Sequence, residues 1–416
     1  MNHRRLLLST ITCFRVTFFV CLLGTVASAA NLFVSTTGND ANNCLSPPMA
    51  CLTIQAAVNK SANGDFINIA PGTFFGPLII HDRSNLRFAG AGPSTVITHP
   101  GPVVPGDVVV EINTSRLIEF RDIRLTGHAL SDGFRVFYST SVTFTGCTVD
   151  SNGGPGGGFF VNGSLGTRID ASTIEDNGVG IRVDGNAEVA LSSPPFATAN
   201  SVVQRNGNGI QVRSGEFALQ GSGIIQDNGI GIRVDGGLVK ACCENQTAPR
   251  RINNNIVGML IQTGSSVELR GPMEFIGNQN FGIRQFGSGV TITGKVTFQT
   301  NGNIATSAIN QSGGHLLING GFGADQIVIK DNPGTGIFLT DGASLRMSNV
   351  TVTNNQIHGL RLQALSSAAL IGNIFMTNNS GRDLSCAPNT FARGNNSGIN
   401  TQFCPGFENS PDPHGP

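Results

Sequence analysis

In the stretch VGIRVDG (Val179 to Gly185) apolar and polar residues alternate, which puts Ile181 and Val183 on one side and Arg182 and Asp184 on the other. The alternation returns in SVELRG (Ser266 to Gly271) and GVTITG (Gly289 to Gly294). Between such runs stand EDNG, QRNG, QDNG and INNN, whose Asn and Gly accept the left-handed backbone of a sharp corner. The pattern predicts short strands separated by corners, with no 3.6-residue helical period between them.

The pattern is also written more than once. IEDNGVGIRVDG (Ile174 to Gly185) recurs as IQDNGIGIRVDG (Ile225 to Gly236), with the looser VQRNGNGIQVRS (Val203 to Ser214) between them. Alignment on Gly133, Gly158, Gly180, Gly209, Gly231, Gly258, Gly282, Gly336 and Gly359 gives a unit of about 25 residues. The wide step from Gly282 to Gly336 implies a degenerate unit around Asn301 to Ile309. Units of this size bury their apolar side only against neighbours, so a solenoid is expected. Missing helices exclude tetratricopeptide, ankyrin and armadillo arrays, and the leucine-rich spacing is absent. Parallel, in-register coils would set Asn177, Asn206, Asn228 and Asn255, each three residues before an aligned Gly, into a hydrogen-bonded amide ladder.

Residues 1–30 read as a signal peptide, with Arg4 and Arg5 ahead of an apolar run from Val16 to Val26 and a small-residue stretch Ala27-Ser28-Ala29-Ala30. Export to a secreted, periplasmic or extracellular location follows from that reading, without membrane insertion. Charges balance at 26 basic and 26 acidic with no basic run, so no nucleic-acid partner is expected. An oxidising compartment makes Cys44 with Cys51 and Cys386 with Cys404 the economical disulfides; the pairing of Cys147, Cys242 and Cys243 stays open, one of the adjacent pair being able to reach Cys147 and leave an odd thiol. No zinc-type spacing accompanies them, and no metal site is assigned.

The segment LFVSTTGNDANNCLSPPMACLTIQAAVNKSANGDFINIAPGTF (Leu32 to Phe74), taken with the repeats, resembles the entry of secreted right-handed parallel β-helix proteins of the pectin-lyase-like superfamily. The resemblance implies an all-β fold, a right-handed single-stranded parallel β-helix with a short N-terminal capping helix. That helix is expected within Thr53 to Ala62, with Ile54, Ala57 and Val58 covering the open end of the core. The expected organisation is an entry strand, helix and first coil at residues 31–75, the β-helix at 76–384, and a C-terminal cap and tail at 385–416. Roughly 14 coils would give a rod on the order of 65 Å long.

Stacking also collects chemistry. One outward column reads Arg135, Phe160, Arg182, Gln211, Arg233, Leu260, Arg284, Phe338 and Arg361. Two residues further on come Asp184, Arg213 and Asp235 among others. Guanidinium forks suit sugar carboxylates or sulfates, and Phe suits ring faces, so Arg182, Asp184, Arg213, Arg233, Asp235 and Arg284 are the candidate polysaccharide contacts. The plainer reading of the same residues is a solvated ladder of opposite charges, with Arg182 beside Asp184 and Arg213.

A second cluster, EFRDIRLTGHALSDGFR (Glu119 to Arg135), offers His128 and Asp132 as an acid/base pair with Arg135 for anion stabilisation. The superfamily's enzymes do not transfer residue by residue: the chain lacks the Asp-Asp and Gly-His-Gly steps of the galacturonase-like set, and it has no Trp for the pectate-lyase-like Trp-Ile-Asp-His stretch. No cofactor is identified, calcium being implied only for a lyase. The sequence therefore favours a binder of extracellular or envelope polysaccharide, with a lyase or hydrolase of acidic polysaccharide as the alternative.

Overall fold

The computed structural model describes residues 29–102, 104–192, 200–241, 248–321, 323–394 and 398–409. All but the last two residues of the expected signal segment lie outside the described residues, as do Cys242, Cys243 and the tail from residue 410. Each turn contributes up to three short strands, one to each of three faces. In one turn these are Val179–Asp184 on face one, Ala187–Ser192 on face two and Val202–Gln204 on face three. Each pairs in parallel with its counterpart in the next turn: Arg182 lies beside Gln211, Val189 beside Phe217, and Val203 beside Ile225. Face one stacks 14 strands, from Leu78–His81 to Gln402–Phe403.

Alternation within strands decides what the stack buries. Ile181, Ile210, Ile232 and Met259 come into register on the inner side and are wholly buried. Inner Phe rings stack along the axis, Phe134 on Phe159 with centroids 5.2 Å apart and Phe275 on Phe298 at 4.6 Å. The degenerate unit is a complete rung: Ser307–Ser312 places Ile309 between Ile283 and Ile337.

Helix α1 (Ile54–Lys60) turns Ile54, Ala57 and Val58 to the core, and the Thr53 hydroxyl caps it by accepting from the Ala56 N–H at 3.1 Å. The helix packs on the first strands and covers the end of the solenoid. Disulfides join Cys44 to Cys51 and Cys386 to Cys404. One expectation needs correction. The β-helix does not stop at residue 384, because Arg382–Cys386, Phe391–Gly394 and Phe407–Asn409 continue its parallel ladders. Cys147 is not disulfide-bonded; its free thiol is buried at a corner and points at the carbonyls of Phe120 and Thr145. Burial pushes that thiol up to about 12.

The asparagines form a longer chain than the repeat alone suggested. From Asn152 through the four predicted members to Asn278, Asn301, Asn332, Asn355 and Asn379, each Nδ2 donates to the Oδ1 of the asparagine one turn on. The same oxygen usually takes a backbone N–H as well: Oδ1 of Asn228 accepts from N and Nδ2 of Asn206 at 2.9 and 3.0 Å. From Asn177 onward each Nδ2 also donates back to a carbonyl of the turn before, as Asn206 does to Ile174, and the column closes at its C-terminal end on Asp383, whose Oδ1 accepts from N and Nδ2 of Asn379 at 3.2 and 2.6 Å. The aligned glycines leave room for this column. A Cβ on Gly231 would lie 2.5 Å from the Gly258 carbonyl oxygen and 3.0 Å from Asn255 Nδ2.

Asn228→Ala should strip the acceptor from two donors of Asn206 and destabilise the chain by about 1–3 kcal/mol, read as a lower urea midpoint at unchanged m-value. The Cys147 thiol should resist iodoacetamide in the folded protein and become alkylated in denaturant, as mapped by mass spectrometry of its peptide.

Candidate functional site

Face one carries the predicted column in the expected order, with Asn310 filling the missing rung between Arg284 and Phe338. Its two halves differ in charge state. In the N-terminal half the arginines of that column, Arg135, Arg182 and Arg233, are already committed. Arg182, only 14% exposed at its side chain, gives Nε and Nη2 to Asp184 Oδ2 at 3.0 and 2.6 Å and Nη1 to the Pro155 carbonyl at 2.8 Å. Its guanidinium also covers the Phe160 ring at 4.6 Å. Arg233 bonds both oxygens of Asp235, which takes a further bond from Gln211 Nε2 at 3.0 Å. The expected pairing of Arg213 with Asp184 is absent, because Arg182 on the same strand reaches that carboxylate first; Arg213 is exposed.

The candidate acid/base group does not assemble. Asp132 is buried, and its Oδ1 accepts from the N–H groups of Gly156 and Gly157 at 2.7 and 3.2 Å while Oδ2 pairs with Arg135 at 2.8 Å. This carboxylate holds a neighbouring loop in place. The His128 ring makes no hydrogen bond or ion pair with it and lies instead edge-on to His99, centroids 6.5 Å apart. Asp184 and Asp235 likewise serve their own arginines, and no group of three or more His, Cys, Asp or Glu side chains converges among the described residues. The residues do not fit a calcium site.

The C-terminal half has the opposite balance. Arg284 is exposed and sits between the rings of Phe281 and Phe286 at 5.0 and 4.9 Å, with no carboxylate partner among the described residues. Arg361 lies over Phe338 at 5.6 Å and donates to the neutral side-chain carbonyl of Gln363. Arg382 covers Phe403 at 4.5 Å. The only acid on these strands, Asp383, is buried in the asparagine column. A recess of about 130 Å³ opens here, walled by Phe281, Phe338 and Arg361, floored by Asn310 and Thr335, and rimmed by Ile304. Ile304 is 75% exposed.

Burial first, then Arg361 and Arg382, holds His358 below the ordinary histidine value of 6.5. Its Nδ1 accepts the Arg382 backbone N–H at 3.1 Å, a role open only to an unprotonated nitrogen. Sequence reasoning singled out Arg284 here but passed over Phe281 and Arg382. Both stand three residues before the main column, where strict alternation would turn them inward; two consecutive buried residues, Gly282–Ile283 and Asp383–Leu384, break the alternation and bring them outward, which no spacing in the sequence signals.

Residues 107–272 match the family model described as right handed beta helix region. The chain is a right-handed parallel β-helix. No curated protein matches its sequence. Among solved structures, this β-helix is similar to the A-modules of two Azotobacter vinelandii mannuronan C-5 epimerases. With AlgE4 the identity is 17% and the TM-score 0.49, and with AlgE6 they are 18% and 0.47, each covering 82% of this chain and 94% of the other. An alginate lyase from Paenibacillus sp. is similar at 12% identity and TM-score 0.31, over 86% of this chain and 98% of that one. Likeness of this depth carries nothing about activity.

The lowered His358 fixes a sign for pH dependence. Below pH 6.5 the unfolded chain takes up a proton that the native imidazole resists, so stability falls as pH drops from 6.5 through the native value. His358→Gln should remove that part of the slope and leave stability above neutral pH unchanged, as read from urea midpoints at a series of pH values.

Proposed function

We propose that this β-helix is an exported binder of acidic polysaccharide, and that the polymer lies along the C-terminal half of face one. The observation that carries the reading is the set of guanidinium groups at Arg284, Arg361 and Arg382, each stacked on Phe and none paired with a carboxylate among the described residues. A surface that solvates its own cations supplies counter-charges, as the N-terminal half does with Asp132, Asp184 and Asp235. Here the acid is missing, and an anionic ligand would provide it. Phe rings lie against each guanidinium, and an N–H edge of Arg284 and of Arg382 stays available for a bidentate bond to a carboxylate, while Arg361 spends Nε and Nη2 on the neutral Gln363 carbonyl and would exchange it for one. Strands repeat along the axis every ~4.8 Å, which suits an extended polymer better than a compact ligand. Two disulfides fit an oxidising compartment, and no helix of the described residues is long and apolar enough to cross a membrane.

The test is binding to immobilised polygalacturonate and alginate, with neutral dextran as control. Arg284→Ala with Arg361→Ala should weaken retention on an acidic polymer about tenfold or more, since a hydrogen bond to a charged group contributes about 1.5–3 kcal/mol. Arg182→Ala with Arg233→Ala should change it less than about threefold, because those groups are spent internally. Added salt should weaken the wild-type interaction. Equal retention of dextran, or equal effects of the two double variants, would defeat the proposal. New unsaturated or reducing ends in the polymer would replace binding with catalysis.

A further inference from the structure

A second unpaired basic recess lies on face two, on strands that take no part in the proposed binding face. His315–Asn319, Ser344–Thr353, Ser367–Thr377 and Phe391–Gly394 run side by side there. Their registers set Leu317, Arg346, Ala369 and Arg393 in one outward column, and His315, Ser344, Ser367 and Phe391 in the next. Ala369 is the small member, so a hollow opens above its methyl group with an arginine on either side. The hollow has a volume of about 470 Å³, within the range of small-molecule sites. With strands ~4.8 Å apart, the two arginines stand about 10 Å from each other at the backbone, a span that two flexible guanidinium arms close around one anionic group.

Both guanidiniums are exposed, and neither makes an ion pair or hydrogen bond among the described residues. Glu408 is in register with Arg393 but on its far side, and the two form no ion pair. The remaining walls are chemically mixed. Leu317 and Phe391, 37% and 39% exposed, present apolar surface. The His315 Nδ1 bonds to the Ser344 hydroxyl, and Ser367 adds a further hydroxyl beside it. Two cations for a carboxylate, apolar edges for a ring face and hydroxyls for a polyol together describe one ligand class, an acidic sugar.

We infer that this recess is a second, separate acidic-sugar site, which makes the rod bivalent and able to bridge two acidic polysaccharide strands. The site itself stands on its own geometry; the bridging rests on the reading of face one. Bivalency of this kind raises retention on a polymer without new contacts.

Calorimetric titration of the full mature chain with trigalacturonate separates the two claims. Wild type should bind two molecules per chain. Arg346→Ala with Arg393→Ala should remove one site and leave Arg284 and Arg361 to hold the other. At the recess the loss should reach about a hundredfold. Ala369→Phe, which fills the hollow and leaves both guanidiniums in place, should abolish the same site. Circular dichroism melting identical to wild type confirms that each variant is folded. Wild type should also cross-link alginate into larger scattering particles, and both double variants should fail to do so. A stoichiometry unchanged by Arg346→Ala with Arg393→Ala and by Ala369→Phe overturns the second site. One site, lost with those variants and kept in Arg284→Ala with Arg361→Ala, overturns the reading of face one and leaves this one standing. Binding of glucose 6-phosphate or inorganic phosphate in place of trigalacturonate overturns the assignment of a sugar carboxylate.

Discussion

The rest of the molecule depends on the in-register stacking of parallel turns, and the buried asparagine column is the interaction that locks that register. A strand slipped by one residue would turn its apolar side chains outward. A turn slipped by one position would also take an asparagine out of line with the Oδ1 that receives it. Because each Oδ1 typically serves the backbone and side chain of the turn before, as in the Asn206–Asn228 pair, such a slip would bury unpaired donors. Apolar burial supplies most of the drive to fold, but it is non-directional. The amide column supplies direction. It ends on Asp383, whose Oδ1 accepts the last donors.

Fixing the register fixes the columns of outward side chains, and so determines which charges meet. On face one the same residue type has two fates. Arg182 and Arg233 have an aspartate two residues along the same strand, and the outward side chains of one strand lie close enough to pair. Arg284 and Arg361 have Phe286 and Gln363 at that position, and their charge is left to the solvent or a ligand. One substitution two residues away thus separates a closed ion pair from a free cation. His358, pressed by burial and by two of these arginines, records the resulting field as a lowered affinity for protons.

Much of this was legible in the sequence. Period-two alternation and Asn-Gly corners named the strands, the repeat named the solenoid, and Gly-aligned counting put Arg182 above Gln211 and Arg233 above Leu260, as the registers have them. Helix α1 was predicted on the three residues it buries. The partners of Asp132 were not legible, because residue type says nothing of burial: two backbone N–H groups from the next turn and Arg135 occupy its carboxylate. Counting left the pairing of Cys147 open, and the structure leaves its thiol free, since disulfide formation needs sulfur atoms to meet in space.

The sequence by itself determined the coil, the central members of the asparagine column and the order of side chains along face one, because these follow from periodicities of two and about 25 that any parallel stacking must respect. Only the tertiary structure decided which charges are spent and which are free. That outcome depends on distances of a few ångströms between side chains and on carbonyls such as Pro155 and Gly106 arriving from other turns, which no spacing along the chain encodes. The recess between Arg346 and Arg393 belongs to the same class. It exists because Ala369 falls between them in register, a neighbourhood created by the stack.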